Sequence, residues 1–476
     1  MPRPRKGDQV EVVIQRLSLR CEGEGELPSD GGGRDPYTVR VRGAVPGDRV
    51  SARITGRRRR ELSARLVEIL EPSPSRISPR CQHFGLCGGC SLQSLSTTEQ
   101  AHQKSALVGR QLARWDHPTD VIRTPLSLED PWFYRNKMEM TFGYDADRAL
   151  ALGLHPPGYR YEVFSMAECF LQSEESTALT RAVAEWARAW ELTPFVSKER
   201  GGFLRTLMIR EGKRTGDRLL ELVTEPFEGH AQGDPPPAAI DAFLETVLSA
   251  GVAVSTVYWT RIHAVAGART WMEELLLHGP PTLREELHVP GQPPLCFEIH
   301  PRAFFQPNTR GAELLYEQVV QACGALEEKH VLDLYCGTGT IALYLARHAR
   351  AVVGIELEPD AVNNARANAR NNGIDNVTFY AGDVGKVLAE MSPRADVVVV
   401  DPPRSGLDVS ARQNLVATGA PRLVYVSCNP EALARDLVAL EHSGFRLLSI
   451  QPLDLFPQTA HIENVAIFVR DEPSHS

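Results

Sequence analysis

Three apolar runs in the C-terminal part of the chain stop abruptly at residues that do chemistry. Val331-Leu332-Asp333-Leu334 runs into Tyr335-Cys336-Gly337-Thr338-Gly339, Val397-Val398-Val399-Val400 into Asp401-Pro402-Pro403-Arg404, and Val424-Tyr425-Val426-Ser427 into Cys428-Asn429-Pro430. Continuous β-branched runs of this length read as strands of a buried parallel sheet. Helical stretches at 341–347 and 359–371 flank a further strand that ends in Glu356, and another strand at 377–380 leads to Asp383. Such alternation predicts a doubly wound, Rossmann-like α/β domain, placed here at residues 296–476. Ligands of these sheets bind beyond the carboxyl ends of the strands. A glycine turn, a carboxylate beside a cation and a thiol are therefore expected at one edge.

The glycine turn lets a ligand approach the backbone, and Glu356 stands where a carboxylate can accept both hydroxyls of a ribose. A glycine turn alone leaves a dinucleotide open. Asp333 lies inside the motif, which suits a cationic ligand better than a pyrophosphate, so S-adenosylmethionine is the expected occupant. Cys428 at a strand end followed by Asn-Pro reads as a nucleophile, against the plain alternative of a small packing residue. A thiolate can add to C6 of a uracil, which makes C5 nucleophilic enough to take a methyl group. A base must then remove the C5 proton. Asp401 and Arg404 can position the base and stabilise charge, and Glu463, in His461-Ile462-Glu463-Asn464 just before a final strand at 465–469, is the candidate proton acceptor.

The N-terminal part has a different character. Residues 1–72 alternate short strands with turns, including Val45-Pro46-Gly47-Asp48 and Gly31-Gly32-Gly33, as in a small oligonucleotide-binding β-barrel. The net charge of the chain is −8, yet residues 1–80 hold 17 Lys and Arg against 11 Asp and Glu. A basic module on an acidic body points to a polyanionic partner. A Pro- and Ser-rich joint then leads to Cys81, Cys87 and Cys90, whose tight spacing points to a metal or cluster rather than disulfides. Residues 73–295 read as a central α+β domain with a loop at 229–237. Its Trp132-Phe133-Tyr134-Arg135-Asn136-Lys137 mixes aromatics with cations, as base stacking and phosphate contact require, or as an aromatic core edge would. No apolar run is long enough to cross a bilayer and no signal peptide is legible, so a cytoplasmic protein is expected, a monomer by default.

Taken together, Phe305-Gln306-Pro307-Asn308, Asp333 to Gly339, Asp401-Pro402-Pro403-Arg404, Ser427-Cys428-Asn429-Pro430 and His461-Ile462-Glu463 resemble the RNA uracil-5 methyltransferase family, over nearly the whole chain. The Val45 to Asp48 turn resembles the TRAM module of RNA-modifying enzymes. The resemblance implies that Cys428 is the nucleophile and Glu463 the base. It implies that Gln306, Tyr335, Glu356 and Asp401 line the S-adenosylmethionine and target-base site, with Asp383 towards the adenine. Arg135, Lys137 and Arg404 are the candidate RNA contacts. Amino-group methyltransferases carry Asn-Pro-Pro-Tyr where this chain has Asp401-Pro402-Pro403-Arg404, and cytosine-5 enzymes place a second cysteine there, so uracil is the expected base. Cys81, Cys87, Cys90 and a distant Cys169 resemble the ligands of an iron–sulfur cluster in this family, which implies a 4Fe–4S cluster of structural role, with structural zinc as the alternative. Ribosomal RNA is the favoured substrate. The alternatives are transfer RNA and a non-catalytic RNA-binding assembly factor.

Overall fold

The computed structural model describes residues 3–28, 35–196, 201–226, 237–263 and 270–470, and every statement of absence below concerns those residues. The expected turn at Gly31 to Gly33 lies outside them, as does most of the 229–237 loop. No helix among them is long and apolar enough to cross a membrane.

The strands Gln9–Leu17, Gly23–Leu27, Tyr37–Arg42, Arg49–Arg58 and Glu61–Glu71 close into a barrel. Alternate residues point inward, and Val39, Val41, Val50, Ala52, Ile54 and Leu62 fill the lumen with small side chains that suit five strands. At Gly25 an added Cβ would lie 2.3 Å from the carbonyl oxygen of Val13, so the strands approach too closely there for any side chain. Asp48, in the Val45 to Asp48 turn, is buried and accepts from the amides of Val45 (2.8 Å) and Ser73 (2.9 Å) and from Arg76. It thereby fixes where the chain leaves the barrel.

A seven-stranded sheet follows, in which Lys137–Tyr144 and Leu204–Glu211 pair antiparallel and Arg218–Thr224 and Thr256–His263 pair parallel. One face is apolar: Met140, Phe142, Leu207, Ile209, Leu222 and Trp259 pack under the helices Glu174–Ala189 and Ala238–Ser249. Register sets polar groups on the other face, with Lys137 opposite Arg210 and Thr260 opposite Glu274.

The C-terminal sheet has eight strands. In spatial order these are Val377–Ala381, Ala351–Glu356, His330–Leu334, Val397–Val400, Arg422–Ser427, Glu463–Arg470, Phe445–Asp454 and Leu126–Ser127. The first five are parallel, as a doubly wound sheet requires. The order reverses at His330–Leu334, which makes its carboxyl end the expected ligand crevice. Two features differ from expectation. Glu463–Arg470 runs antiparallel between its neighbours, and Glu463 is the first residue of that strand rather than part of the preceding loop. The outer edge is covered by Leu126–Ser127, contributed from far upstream in the chain, which hides an otherwise open row of backbone donors and acceptors.

Candidate active site

The glycine turn sits at the reversal point. Tyr335, Gly337 and Gly339 all have positive φ, at 65°, 54° and 80°. At Gly339 a Cβ would lie 2.9 Å from Ala365 and Phe379, so the turn is pressed against the next helix and strand. At Gly337 a Cβ would meet nothing within 4 Å, and that open side is the candidate cradle. Glu356 closes the neighbouring strand, with its carboxylate accepting from the amides of Gly337 and Glu358, both at 3.0 Å. Thr338 donates to the carbonyl of Phe304 at 3.3 Å, which brings the 300–308 loop, and with it the buried Gln306, to the rim. Asp383 is exposed and caps the helix Val384–Met391 by accepting from the amide of Lys386.

Asp333 is fully buried and neither carboxylate oxygen has a hydrogen-bond partner. Burial drives its carboxyl well above the usual range, and nearby Asp401 adds to this. A buried carboxyl without a partner is costly. A cationic ligand in the cradle would supply the missing interaction, so the residues present fit S-adenosylmethionine.

Cys428 and Glu463 meet through sheet register. Ser427 pairs with Asn464 across the antiparallel strands, which sets the next two residues, Cys428 and Glu463, opposite one another. Val400 pairs with Leu334 on one side and Tyr425 on the other, so Asp401 emerges at the same edge. Asp401 raises both Glu463 and Cys428, and Glu463 raises Cys428. Burial pushes the Cys428 thiol up to about 11, with Glu463 and Asp401 adding to it and Arg404 opposing through its charge and a hydrogen bond. Burial holds Glu463 well above the carboxylate range and Asp401 up to about 7. Cys428 also lies just before the helix Pro430–Glu441, whose positive end favours a thiolate.

Three segments are fixed by contacts that sequence reasoning missed. Buried Asp436 accepts from the amide of Leu407 (2.7 Å) and the hydroxyl of Tyr425 (2.8 Å), while Asn429 donates to the carbonyl of Arg404 (2.8 Å). This pins the segment from Asp401 to Leu407 against the cysteine turn. Asn136 donates to the carbonyl of Gln306 (2.8 Å) and to Thr309 (3.0 Å), and so sets the depth of Gln306 from the central domain. The loop 455–462 that precedes Glu463 is gripped from outside, by Lys104, Gln100, Tyr134 and Asn308. The only local signals for these were polar residues inside apolar helical stretches, notably Gln100 and Lys104.

Cys81, Cys87, Cys90 and Cys169 come together. Burial, joined by Cys169, Cys87 and Cys81 and opposed by a hydrogen bond with Gln93, raises Cys90 to about 12. Gly88 lies between two of them at φ 78°, where a Cβ would sit 2.4 Å from the carbonyl of His155, so this turn needs glycine. Among the described residues the metal-binding groups whose donor atoms all lie within 4.8 Å of one another are Cys81, His83 and Glu168, not the four thiols. A single tetrahedral ion with sulfur at about 2.3 Å would draw the thiols closer than that. Arg80 stacks over Phe170 (4.3 Å), Trp132 and Phe133 (both 5.3 Å), so those rings hold a cation beside the cysteines.

Of the candidate RNA contacts, Arg135 and Arg404 stand close enough to His461 for their charges to help burial lower it to about 4. Burial, then Arg210, lowers Lys137, on the polar face of the central sheet. A groove of about 1650 Å³ runs between the barrel and the helix Thr97–Ala113, lined by seven arginines against three glutamates. Of the arginines, Arg16, Arg40 and Arg42 are ion-paired, and Arg20, Arg65, Arg110 and Arg114 have no ion-pair partner among the described residues.

The chain is similar to known proteins along nearly its whole length. Residues 326–456 match a family model described as a methyltransferase domain, and residues 262–383 one described as tRNA (uracil-5-)-methyltransferase. A protein of Protochlamydia amoebophila, described as an uncharacterised RNA methyltransferase, is 38% identical over 437 residues, covering 89% of this chain and 98% of its own. One from Halalkalibacterium halodurans with the same description is 34% identical over 97% of each chain. The crystal structure of Pyrococcus abyssi tRNA (uracil-54, C5)-methyltransferase in complex with S-adenosyl-L-homocysteine superposes with a TM-score of 0.73 at 25% identity, covering 97% of this chain and 100% of that one.

Proposed function

This chain belongs to the RNA uracil-5 methyltransferase family, and we propose that it forms 5-methyluridine by covalent catalysis at Cys428. The observation that carries this reading is the register that sets Cys428 against Glu463 at the sheet edge holding the Asp333 and Glu356 cradle. S-adenosylmethionine, when bound, supplies the methyl group. Asp333 answers its positive charge, Glu356 accepts from the ribose, Tyr335 and Gln306 wall the site, and Asp383 bounds the adenine end.

Arg404 stabilises the Cys428 thiolate, which attacks C6 of the target uracil. Asp401 orients the pyrimidine. After C5 has gained its methyl group, Glu463 removes the C5 proton. The electrons of the C5–H bond form the C5–C6 double bond as the C6–sulfur bond breaks, returning Cys428 as a thiolate. The uridine must leave its stack to reach this edge. The barrel, as a TRAM module, and the arginine-lined groove bind the surrounding RNA, with Arg135 and Lys137 nearer the base.

Cys81, Cys87, Cys90 and Cys169 would hold a 4Fe–4S cluster. Four thiolates suit such a cluster, with one structural zinc ion as the alternative. Ribosomal RNA is the proposed substrate. Transfer RNA is the second reading, favoured by the description of the matching family model and of the Pyrococcus abyssi structure. Methyl transfer from labelled S-adenosylmethionine to unmodified ribosomal and transfer RNA, assayed separately and read by nucleoside mass, tests both. 5-Methyluridine from ribosomal RNA alone is expected. The same product from transfer RNA alone overturns the choice of substrate, and no methylated nucleoside from either overturns the enzyme.

A further inference from the structure

The loop between the last two strands of the catalytic sheet is held from the cysteine-bearing module. Gln458 lies at its tip, 2% exposed and with φ at 71°, a conformation that a non-glycine residue adopts only under outside constraint. The constraint is reciprocal. Gln458 donates its amide to Gln100 Oε1 at 2.7 Å, and Gln100 Nε2 donates back to Gln458 Oε1 at 2.9 Å. Gln100 Nε2 also reaches the carbonyls of Leu92 (3.0 Å) and Leu95 (2.8 Å). The carbonyl of Gln458 accepts from the amides of Ser91 (2.7 Å) and Leu92 (3.1 Å), the two residues that follow Cys90. At the start of the loop Lys104, one helical turn after Gln100, binds Asp454 at 2.7 Å, with both side chains 1% exposed. Glu463 lies five positions beyond Gln458.

We propose that Gln100 and Gln458 are positioning residues for the Glu463 base, so that the cysteine module governs release of the methylated RNA rather than its methylation. The inference rests on the reading of Glu463 given above. Attack by Cys428 and acceptance of the methyl group need the thiol, Arg404 and the cradle, none of which this loop carries. Proton removal from C5 needs the Glu463 carboxylate in place. A loop freed from Gln100 lets that carboxylate drift, and a displacement of about 1 Å costs on the order of 100-fold in rate. The species that then builds up has the C6–sulfur bond intact and the methyl group already on C5.

The test uses full-length protein with its metal site loaded, labelled S-adenosylmethionine and RNA, under single turnover. Gln100→Leu removes both Gln100–Gln458 hydrogen bonds, and Gln458→Gly removes the side-chain one while keeping a backbone conformation that glycine adopts freely, so one variant decides if the other fails to fold. The expected result is methyl transfer at close to the wild-type rate, unchanged S-adenosylmethionine affinity, and a denaturant-stable protein–RNA adduct carrying label that decays roughly 10- to 100-fold more slowly. Loss of methyl transfer without adduct, or wild-type adduct decay, overturns the proposal. Wild-type protein that methylates RNA while the variants show no adduct defeats this inference alone. Wild-type protein that methylates no uridine defeats the reading beneath it as well.

Discussion

Asn464 donates from Nδ2 to the carbonyl of Ser427 at 3.1 Å, across an antiparallel pair that runs through the middle of the catalytic sheet. Both side chains are buried, and the pair fixes the register one residue short of Cys428 and Glu463. A slip by one residue would turn Glu463 to the opposite face.

Cys428→Ala should abolish methyl transfer and leave S-adenosylmethionine binding within about twofold, since the cradle lies on other strands. Calorimetric titration alongside the nucleoside assay checks this. Turnover above roughly a hundredth of wild type would remove Cys428 as the nucleophile.

The thiol should respond to its neighbours in opposite directions. Glu463 raises the Cys428 pKa and Arg404 lowers it. Glu463→Gln should therefore bring alkylation by iodoacetamide to a lower pH, and Arg404→Gln should move it higher. The same Glu463→Gln protein should accumulate an RNA adduct, read as added mass on the protein.

Stability should fall as pH rises towards neutrality because of Asp401. Its folded carboxyl is pushed up to about 7 by burial, against roughly 3.9 in an unfolded chain. Between those values the folded state holds the extra proton, so its stabilising contribution is complete below the lower value and lost through the upper one. Asp401→Asn should gain in melting temperature relative to wild type from pH 4 to 7 and no further above, while losing activity. A constant difference across that range would contradict the assignment.

Asp333→Asn should weaken S-adenosylmethionine binding by about 1–3 kcal/mol, roughly 5- to 150-fold, because a charged partner is lost from a buried site. Asp333→Leu should raise the melting temperature of the ligand-free protein, because the unpartnered carboxyl is gone. Unchanged affinity in both variants would remove Asp333 from the cradle.

Anaerobically purified protein should carry about four irons per chain and the broad visible absorption of a cluster. Cys90→Ser and Cys169→Ser should each lose the metal. About one zinc and no iron would replace the cluster with the structural ion.

The catalytic sheet was legible because parallel strands buried on both faces leave unbroken runs such as Val397 to Val400, with their chemistry at the next residue. The barrel was legible from alternation at Tyr37 to Val41. The position of Glu463 inside its strand was not, because Glu463 and Asn464 are polar at the start of a buried strand and read as loop. Nor were Gln100 with Gln458, Lys104 with Asp454, or Asn136 with Gln306. Each pair is separated by 170 residues or more, and no local period marks two polar residues that will satisfy each other in a core. Trp132 and Phe133 fit either stacked bases or an aromatic core edge on composition alone; the structure sets Arg80 against them.

The buried Lys104–Asp454 pair has a consequence for the birth of the chain. Its partners are 350 residues apart. At about 5–20 residues per second, Lys104 leaves the ribosome roughly 20–70 s before its counter-charge exists. Until then its ammonium cannot be buried without a large cost, so the helix Thr97–Ala113 must wait, solvated, for almost the entire chain to be translated. The module made among the first is thus among the last to dock, and it docks by completing the loop behind Glu463.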